Sequence, residues 1–123
     1  MIVTQKEPKA SGSELGILAA ALADPKNLDG IGLDHFASGA LRKIFAAMTE
    51  AVQRLGTVDA RLLWDEIVKR GDHENPLVSK AYVEIISGEA GVPAHADLYR
   101  SQLDDSMAER ELRRSLAEAN RIL

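Results

Sequence analysis

The sequence predicts an all-α fold, a compact bundle of about six helices that ends in a long helix. Apolar residues recur at spacings of three, four and seven along most of the chain, which is the period of helices that bury one face. No segment alternates between apolar and polar residues as a half-buried strand does. The roughly 30 residues after Pro93 contain neither glycine nor proline, which predicts the long terminal helix.

Length and composition indicate one globular domain. The 123 residues are 46% hydrophobic and 28% charged, and the net charge of −4 lacks the basic excess of an independent nucleic-acid-binding protein. The absence of cysteine excludes disulfides, thiolate metal sites and cysteine nucleophiles, and it is compatible with a reducing compartment. No run approaches the ~20 apolar residues of a membrane span, and Met1 to Ser13 lack a signal-peptide core. We therefore expect a cytoplasmic protein without a membrane partner.

The first half of the chain predicts two helices. Residues 1–12 are expected to form a flexible N-terminal arm, and residues 13–123 the folded domain. Ser13 is the expected N-cap of the first helix, which ends before Asp24-Pro25 because a residue that precedes proline avoids the α region. Asn27 to Phe36 hold a helical turn at most. The second helix runs from Ser38 to Gly56 with an apolar stripe of Leu41, Ile44, Phe45, Met48, Val52 and Leu55.

The second half predicts three further helices. Asp59 is the expected cap of a helix from Ala60 to about Arg70, which Gly71 stops. A fourth helix then runs to Ser87, since three apolar pairs recur every four residues: Leu77/Val78, Ala81/Tyr82 and Ile85/Ile86. The glycines between residues 88 and 91 separate it from the terminal helix.

The apolar stripe of the terminal helix changes face half way along. Its first part is Tyr99, Leu103 and Met107, and its second part is Leu112, Leu116, Ala119 and Leu123. The five-residue step between the two parts advances ~140° beyond a full turn. We predict that the first half docks on the bundle and that the second half contacts a partner. The alternative is a helix that bends or breaks near residues 106–108 and continues around the same core.

Charge also changes along this helix. Residues 94–108 hold three acids and one arginine, whereas residues 109–123 hold three acids and four arginines. We predict an interface whose apolar centre is Leu112, Leu116, Ala119 and Leu123. Its predicted rim is Arg110, Arg113 and Arg114, charges that would set register more than affinity.

The sequence contains no motif that carries chemistry. It has neither a phosphate loop nor a GxGxxG turn. His73 lies beside two acids but without ligands at metal-site spacing, so it is expected to be solvated, and His35 is expected in a surface turn. The acid pairs Asp65-Glu66 and Asp104-Asp105 diverge on a helix and should also be solvated. Trp64 could be an exposed interface anchor, but a half-buried place in the core is the favoured prediction. We predict no catalytic, cofactor-binding or metal-binding residue.

Five short patterns occur in order along the chain. They are Glu14 with Leu18, Leu22 and Asp24-Pro25; Phe36 followed by Ile44-Phe45; Gly56-Thr57-Val58-Asp59 with Leu63 and Ile67; Tyr82 with Ile85; and Ala96 with Tyr99, Leu103 and Arg110. Together they resemble the N-terminal domain of DnaB-type replicative helicases over about residues 13–123. Ala19, His35 and Leu41 replace the family's glycine, aspartate and histidine, and the turn before Asp59 lacks its proline. The resemblance is therefore to a divergent member.

The resemblance implies an interaction domain that precedes a RecA-like ATPase motor. Such domains self-associate as dimers, or within the hexamer of the parent protein, form a collar on the ring, and dock primase or a helicase loader. ATP, magnesium and most DNA contacts would belong to the motor, so this chain alone is expected to be neither an enzyme nor a direct DNA binder. The expected function is oligomerisation and protein interaction during DNA replication.

Two other functions fit the same residues. One is a stand-alone helicase-interacting protein, such as a loader or a decoy, and the other is the helicase-binding domain of a primase. The neighbouring coding sequence separates them. A motor domain downstream supports the helicase, a stop codon near Leu123 supports the stand-alone protein, and a position at the C-terminus of its parent supports the primase.

Overall fold

A computed structural model describes residues 12–88 and 93–122. This part of the chain contains five α-helices and no strand: α1 (Gly12–Ala23), α2 (Gly39–Leu55), α3 (Ala60–Lys69), α4 (Pro76–Ile86) and α5 (Ala96–Ile122). Short 3-10 turns lie between them at Pro25–Leu28, Leu33–His35, Asp72–Glu74 and Pro93–His95. The all-α prediction is confirmed, with five α-helices in the described residues where about six were expected. Gly30, at φ 78°, helps to keep the connection after α1 from forming a further helix.

Side-chain caps define the helix starts that the sequence predicted. The Ser38 hydroxyl accepts the Leu41 N–H at 3.3 Å, and the Asp59 carboxylate accepts the Leu62 N–H at 2.8 Å. Gly56 ends α2 in the left-handed conformation at φ 78°. The prediction for Ser13 is wrong. Because α1 already begins at Gly12, Ser13 lies in the first turn, and its hydroxyl donates to the side-chain oxygen of Gln102 on α5.

Helix α2 packs against α3 and α4, while α1 packs against α4 and α5. The predicted stripe of α2 is buried through Met48, and Val52 is half-buried. Leu55 is 47% exposed, so the prediction is wrong at this last residue of α2. The largest fully buried side chains of the core are Phe36, Ile17, Leu18, Leu41, Ile44, Met48, Leu63 and Ile67.

Helix α5 is continuous from Ala96 to Ile122, about 40 Å long. The alternative of a break near residues 106–108 is therefore wrong. Searched over the described residues, the structure contains no helix that is long and apolar enough to cross a membrane.

Candidate protein-interaction surface

The N-terminal half of α5 packs on α1 through a close contact between backbone and ring. Ala96 and Leu103 are buried, and the Tyr99 ring lies against α1 at Gly16. A Cβ atom on Gly16 would lie 2.8 Å from the nearest ring carbon, closer than van der Waals contact permits. The absence of a side chain at Gly16 is therefore what lets α5 approach α1 at this point.

Arginine side chains fasten α5 to the connection between α1 and α2. Arg100 donates to the Asn27 carbonyl at 2.8 Å and also to the Asp29 carbonyl. One arginine thus satisfies two loop carbonyls. Ten residues later, nearly three turns along α5, Arg110 donates to the Asp34 carbonyl at 2.6 Å. These contacts set the position of α5 along the bundle.

His35 forms a second polar contact with α5. It is 7% exposed, its Nδ1 accepts the Gly32 N–H at 3.0 Å, and its Nε2 lies 2.8 Å from Asp104 Oδ1. Because Nδ1 accepts, Nε2 is the nitrogen that carries the proton toward Asp104. The prediction of a surface turn residue is wrong, since α5 covers the 3-10 turn that contains His35. Asp104 is exposed as predicted, with 58% of its side chain accessible, and one of its carboxylate oxygens also contacts His35.

Glu14 is a structural residue whose role the sequence did not predict. Its side chain is 4% exposed, and Oε1 accepts the N–H groups of Ala37 and Ser38 at 3.2 and 3.4 Å. The carboxylate therefore connects the first turn of α1 to the start of α2. The signal available in the sequence was the place of Glu14 at the head of the family pattern.

In the distal half of α5, residues 109–122, the chain beyond Arg110 makes none of these contacts. Leu112 and Leu116 are 61% and 56% exposed, and Ala119 is exposed as well. Leu112 follows Leu103 by nine residues, a rotation of ~900° that places it on the opposite side of the helix. The structure thus places three predicted interface residues on one solvent-exposed face. The fourth, Leu123, lies outside the described residues.

The three predicted rim arginines occupy different positions around α5. Arg113 lies ~100° from Leu112, beside the apolar face, and pairs with Glu109 at 2.6 Å. Arg114 lies ~200° from Leu112, on the far side, and pairs with Glu111 at 3.6 Å. Arg110 is on the docked side of the helix, where it contacts Asp34. Arg113 is therefore the arginine that directly borders the exposed apolar face.

Glu66 is buried, in contrast to the prediction for its acid pair. It is 4% exposed and lies 3.0 Å from Arg54 Nη1 and 3.6 Å from Arg70 Nε, between α2 and α3. Asp65 is exposed as predicted. Glu66 lies next to the buried Ile67 on the packed side of α3, so the arginines replace water as its partners.

His73 is half-buried, with its Nδ1 shielded from solvent, so it is not the freely solvated residue that was predicted. Its carbonyl accepts the Ser79 hydroxyl at 2.9 Å, which ties the turn before α4 to that helix. Within residues 12–88 and 93–122, no group of three or more histidines or acids could hold a metal ion.

Trp64 is half-buried, as predicted, and its ring lies 4.8 Å from the Tyr82 ring on α4. The Tyr82 hydroxyl donates to the Ala60 carbonyl at 2.8 Å. Burial raises the pKa of Tyr82, and the nearby carboxylates of Asp59 and Asp65 raise it further. This aromatic pair joins α3 to α4.

Comparison with known proteins places these features in a family. The family model described as DnaB-like helicase N terminal domain matches residues 6–105, which is most of the chain. No match was found among curated proteins. The matched range includes Glu14, Gly16 and residues 96–105 of α5, and it ends before the exposed Leu112 and Leu116. The chain belongs to the DnaB-like helicase N-terminal domain family and is a helicase-associated oligomerisation and interaction domain.

Proposed function

We propose that this domain assembles copies of a replicative DNA helicase by using the distal half of α5 as a homotypic contact surface. The observation that carries this proposal is the exposure of Leu112 and Leu116 on a helix that is held firmly at its other end. A helix that projects two large leucines into water gains free energy when a partner covers them, about 1.5–3 kcal/mol for each fully buried side chain. Because the docked half is fixed on the bundle, the exposed face with Leu112 and Leu116 has a defined orientation relative to the bundle.

Membership of the family supports a finer role. We propose that self-association forms part of an N-terminal collar, and that an exposed face recruits primase or a helicase loader. ATP and magnesium would be bound by a motor domain of the parent protein, and DNA contacts would lie there too. The acidic net charge and the chain's few basic clusters support a role in protein contacts.

A double substitution of Leu112 and Leu116 by Asp tests the proposal. Both residues are exposed, so the bundle should stay folded, whereas two carboxylates in a homotypic apolar contact would remain unpaired. We expect the wild-type chain to self-associate with increasing concentration in sedimentation equilibrium, and the double variant to sediment as a single chain.

Leu77→Asp is the matched control, because Leu77 is also an exposed leucine, at 51%, but lies in the first turn of α4. It should self-associate like the wild type. Far-ultraviolet circular dichroism checks that all three proteins are equally helical. An oligomeric wild type whose sedimentation is unchanged by the double substitution would contradict the proposal.

A binding measurement distinguishes the assembly domain from the two other functions. A stand-alone loader or decoy, or a primase domain, would bind an intact replicative helicase more tightly than it binds itself. Titration of the labelled chain with such a helicase and with unlabelled chain compares the two affinities directly. Stronger self-association supports the assembly domain.

A further inference from the structure

An apolar pocket lies between the ends of α1 and α4 and the start of α3. Its volume is about 310 Å³, and its wall includes Ala19 and Leu22 of α1, Ala60 of α3, and Ile85 and Ile86 of α4. Ile85 is buried, and Ala19, Leu22 and Ala60 are half-buried, whereas Ile86 is 43% exposed. The pocket therefore has an aliphatic floor and reaches solvent at its rim. We call it the α1–α3–α4 pocket.

One carboxylate lies in this aliphatic wall. Asp59 is the only ionisable side chain among the described residues that line the pocket, and it is exposed. Its Oδ1 accepts the Leu62 N–H at 2.8 Å, and its carboxylate forms no ion pair within the described part of the chain. The same charge helps to raise the pKa of Tyr82, whose hydroxyl donates to the carbonyl of Ala60. The pocket is thus apolar with a negative charge that no cation of the described chain neutralises.

We propose that the α1–α3–α4 pocket binds an arginine side chain of another protein. The methylene groups of the arginine would cover the aliphatic wall, and its guanidinium would reach the carboxylate of Asp59. This inference rests on the proposed function, since it names the chemistry by which an exposed face recruits a partner. It does not depend on the contact that we assign to α5.

The composition of the pocket selects this chemistry. A wholly apolar side chain would cover Asp59 without giving it a counter-ion, and an acidic side chain would be repelled. Arginine fits better than lysine, because a guanidinium is more weakly hydrated than an ammonium group and donates two parallel hydrogen bonds to one carboxylate. The volume lies near the lower end of the range of about 300–1,000 Å³ for small-molecule sites, so it suits a single extended side chain.

A different protein is the source of the arginine, because most arginines of this chain already have partners. Seven of those in the described residues contact a carbonyl or a carboxylate of their own chain, namely Arg42, Arg54, Arg70, Arg100, Arg110, Arg113 and Arg114. Of the other two, Arg61 directly follows Ala60 in the pocket wall, and Arg121 lies in the last turn of α5. A second copy of the chain therefore has few free guanidinium groups to offer.

Titration of the isotope-labelled chain with capped tripeptides tests the inference by NMR. The three probes are Ala-Arg-Ala, Ala-Lys-Ala and Ala-Gln-Ala, each acetylated and amidated so that the ends carry no charge. We expect the arginine peptide to bind in the millimolar range and to shift the amides of Leu22, Ala60 and Ile86. The lysine peptide should bind more weakly, and the glutamine peptide more weakly still.

Two variants and a matched control locate the binding. Asp59→Asn removes the charge but keeps a side-chain oxygen that can cap α3, and it should weaken binding of the arginine peptide about fivefold. Ala23→Phe, at an exposed residue of the pocket wall, should fill the pocket and abolish binding. Asp65→Asn is the control, because Asp65 is also an exposed acid of α3 that acts on Tyr82 but does not line the pocket. It should bind like the wild type, and circular dichroism checks that all variants are folded.

The outcomes separate the inference from the homotypic role of α5. The inference is overturned if the glutamine or the lysine peptide binds as tightly as the arginine peptide, if Asp59→Asn binds like the wild type, or if no pocket amide shifts. The Leu112→Asp/Leu116→Asp variant should bind the arginine peptide as the wild type does, and Asp59→Asn should still self-associate in sedimentation equilibrium. Loss of self-association in Asp59→Asn would make a second copy the occupant and overturn the assignment to another protein. A wild type that binds no peptide but self-associates through α5 overturns this inference alone.

Discussion

Tyr99 lies so close to the α1 backbone that a single methyl group at Gly16 must displace it. Alanine would gain about 1 kcal/mol over glycine from helix propensity. Forcing a methyl group into a packed contact costs about 1–3 kcal/mol, and here the obstacle is a ring held between two helices. The steric cost of the contact with Tyr99 should therefore exceed the gain in helix propensity.

We therefore expect Gly16→Ala to lower the free energy of unfolding by about 1 kcal/mol, measured by urea denaturation. Gly39→Ala is the control, because it also lies in a helix but a Cβ atom there would meet no atom within 4 Å. It should lose no stability. Equal stability of the two variants would show that Tyr99 moves aside at little cost.

Tyr82 gives the domain a stability change at alkaline pH. The pKa of Tyr82 is raised in the folded chain above its ordinary value of 10.0, first by burial and then by Asp59 and Asp65. Between these two pKa values the unfolded chain releases the proton while the folded chain keeps it, so stability falls as pH rises. Below the pKa of Tyr82 in the unfolded chain, both states keep the proton, so the stability no longer depends on pH through this residue.

Tyr82→Phe should remove this part of the alkaline loss of stability. At neutral pH the variant should be less stable by about 1 kcal/mol, because the hydrogen bond to the Ala60 carbonyl is lost. Urea denaturation at neutral pH and at several values above pH 10 measures both effects. A variant with the same slope above pH 10 as the wild type would exclude Tyr82 as the source.

At the scale of elements, the start of α2 depends on a carboxylate from α1. Glu14→Ala would leave the N–H groups of Ala37 and Ser38 without their acceptor, and we expect a loss of about 1–3 kcal/mol. Glu14→Gln keeps an acceptor oxygen and should lose less. The measurements are urea denaturation and hydrogen exchange at those two amides.

The control for this element is Glu118→Ala, an exposed acid on the distal half of α5. It should leave both the unfolding free energy and the two amides unchanged. If Glu14→Ala were as stable as this control, the carboxylate would not hold the two helices together.

At the scale of the whole molecule, α5 joins a well-packed body to a solvent-exposed segment. Its docked half has Leu103 in the core and polar contacts from Arg100 and Asp104, whereas the distal half contacts the bundle through Arg110 and has exposed leucines. Isolated helical segments of this length are marginally stable in water. We expect amides of residues 112–120 to exchange much faster in dilute solution than amides of residues 100–108.

This difference should shrink as protein concentration rises, because assembly protects the distal half. Hydrogen exchange by NMR or mass spectrometry at two concentrations measures it. Uniform protection along α5 in dilute solution would mean that the distal half is stable without a partner. The Leu112→Asp/Leu116→Asp variant, which should not assemble, provides the concentration-independent reference.

Local chemistry accounts for the features that the sequence predicted correctly. Ser38, Asp59 and Gly56 define helix ends through contacts with neighbours a few residues away, so spacing along the chain was sufficient. The change of face in α5 could also be predicted from the sequence, because a five-residue step rotates the apolar stripe by ~140° beyond a full turn of the helix. The exposed position of Leu112 and Leu116 follows from that rotation.

The long-range polar contacts could not be predicted in this way. His35, Glu14 and Glu66 look like ordinary surface residues in sequence, and each is buried because a distant element covers it. Asp104 lies 69 residues from His35, and Ala37 lies 23 residues from Glu14. No periodicity links such positions, because their partners are chosen by how the helices pack.

The sequence by itself determined the helices, most of their ends and the two faces of α5, because these depend on interactions within a few turns of one helix. Tertiary structure alone decided which polar side chains are buried and that the Trp64 ring of α3 lies against the Tyr82 ring of α4. Packing brings together residues that are far apart in the chain, and the free energy of burial then depends on those neighbours.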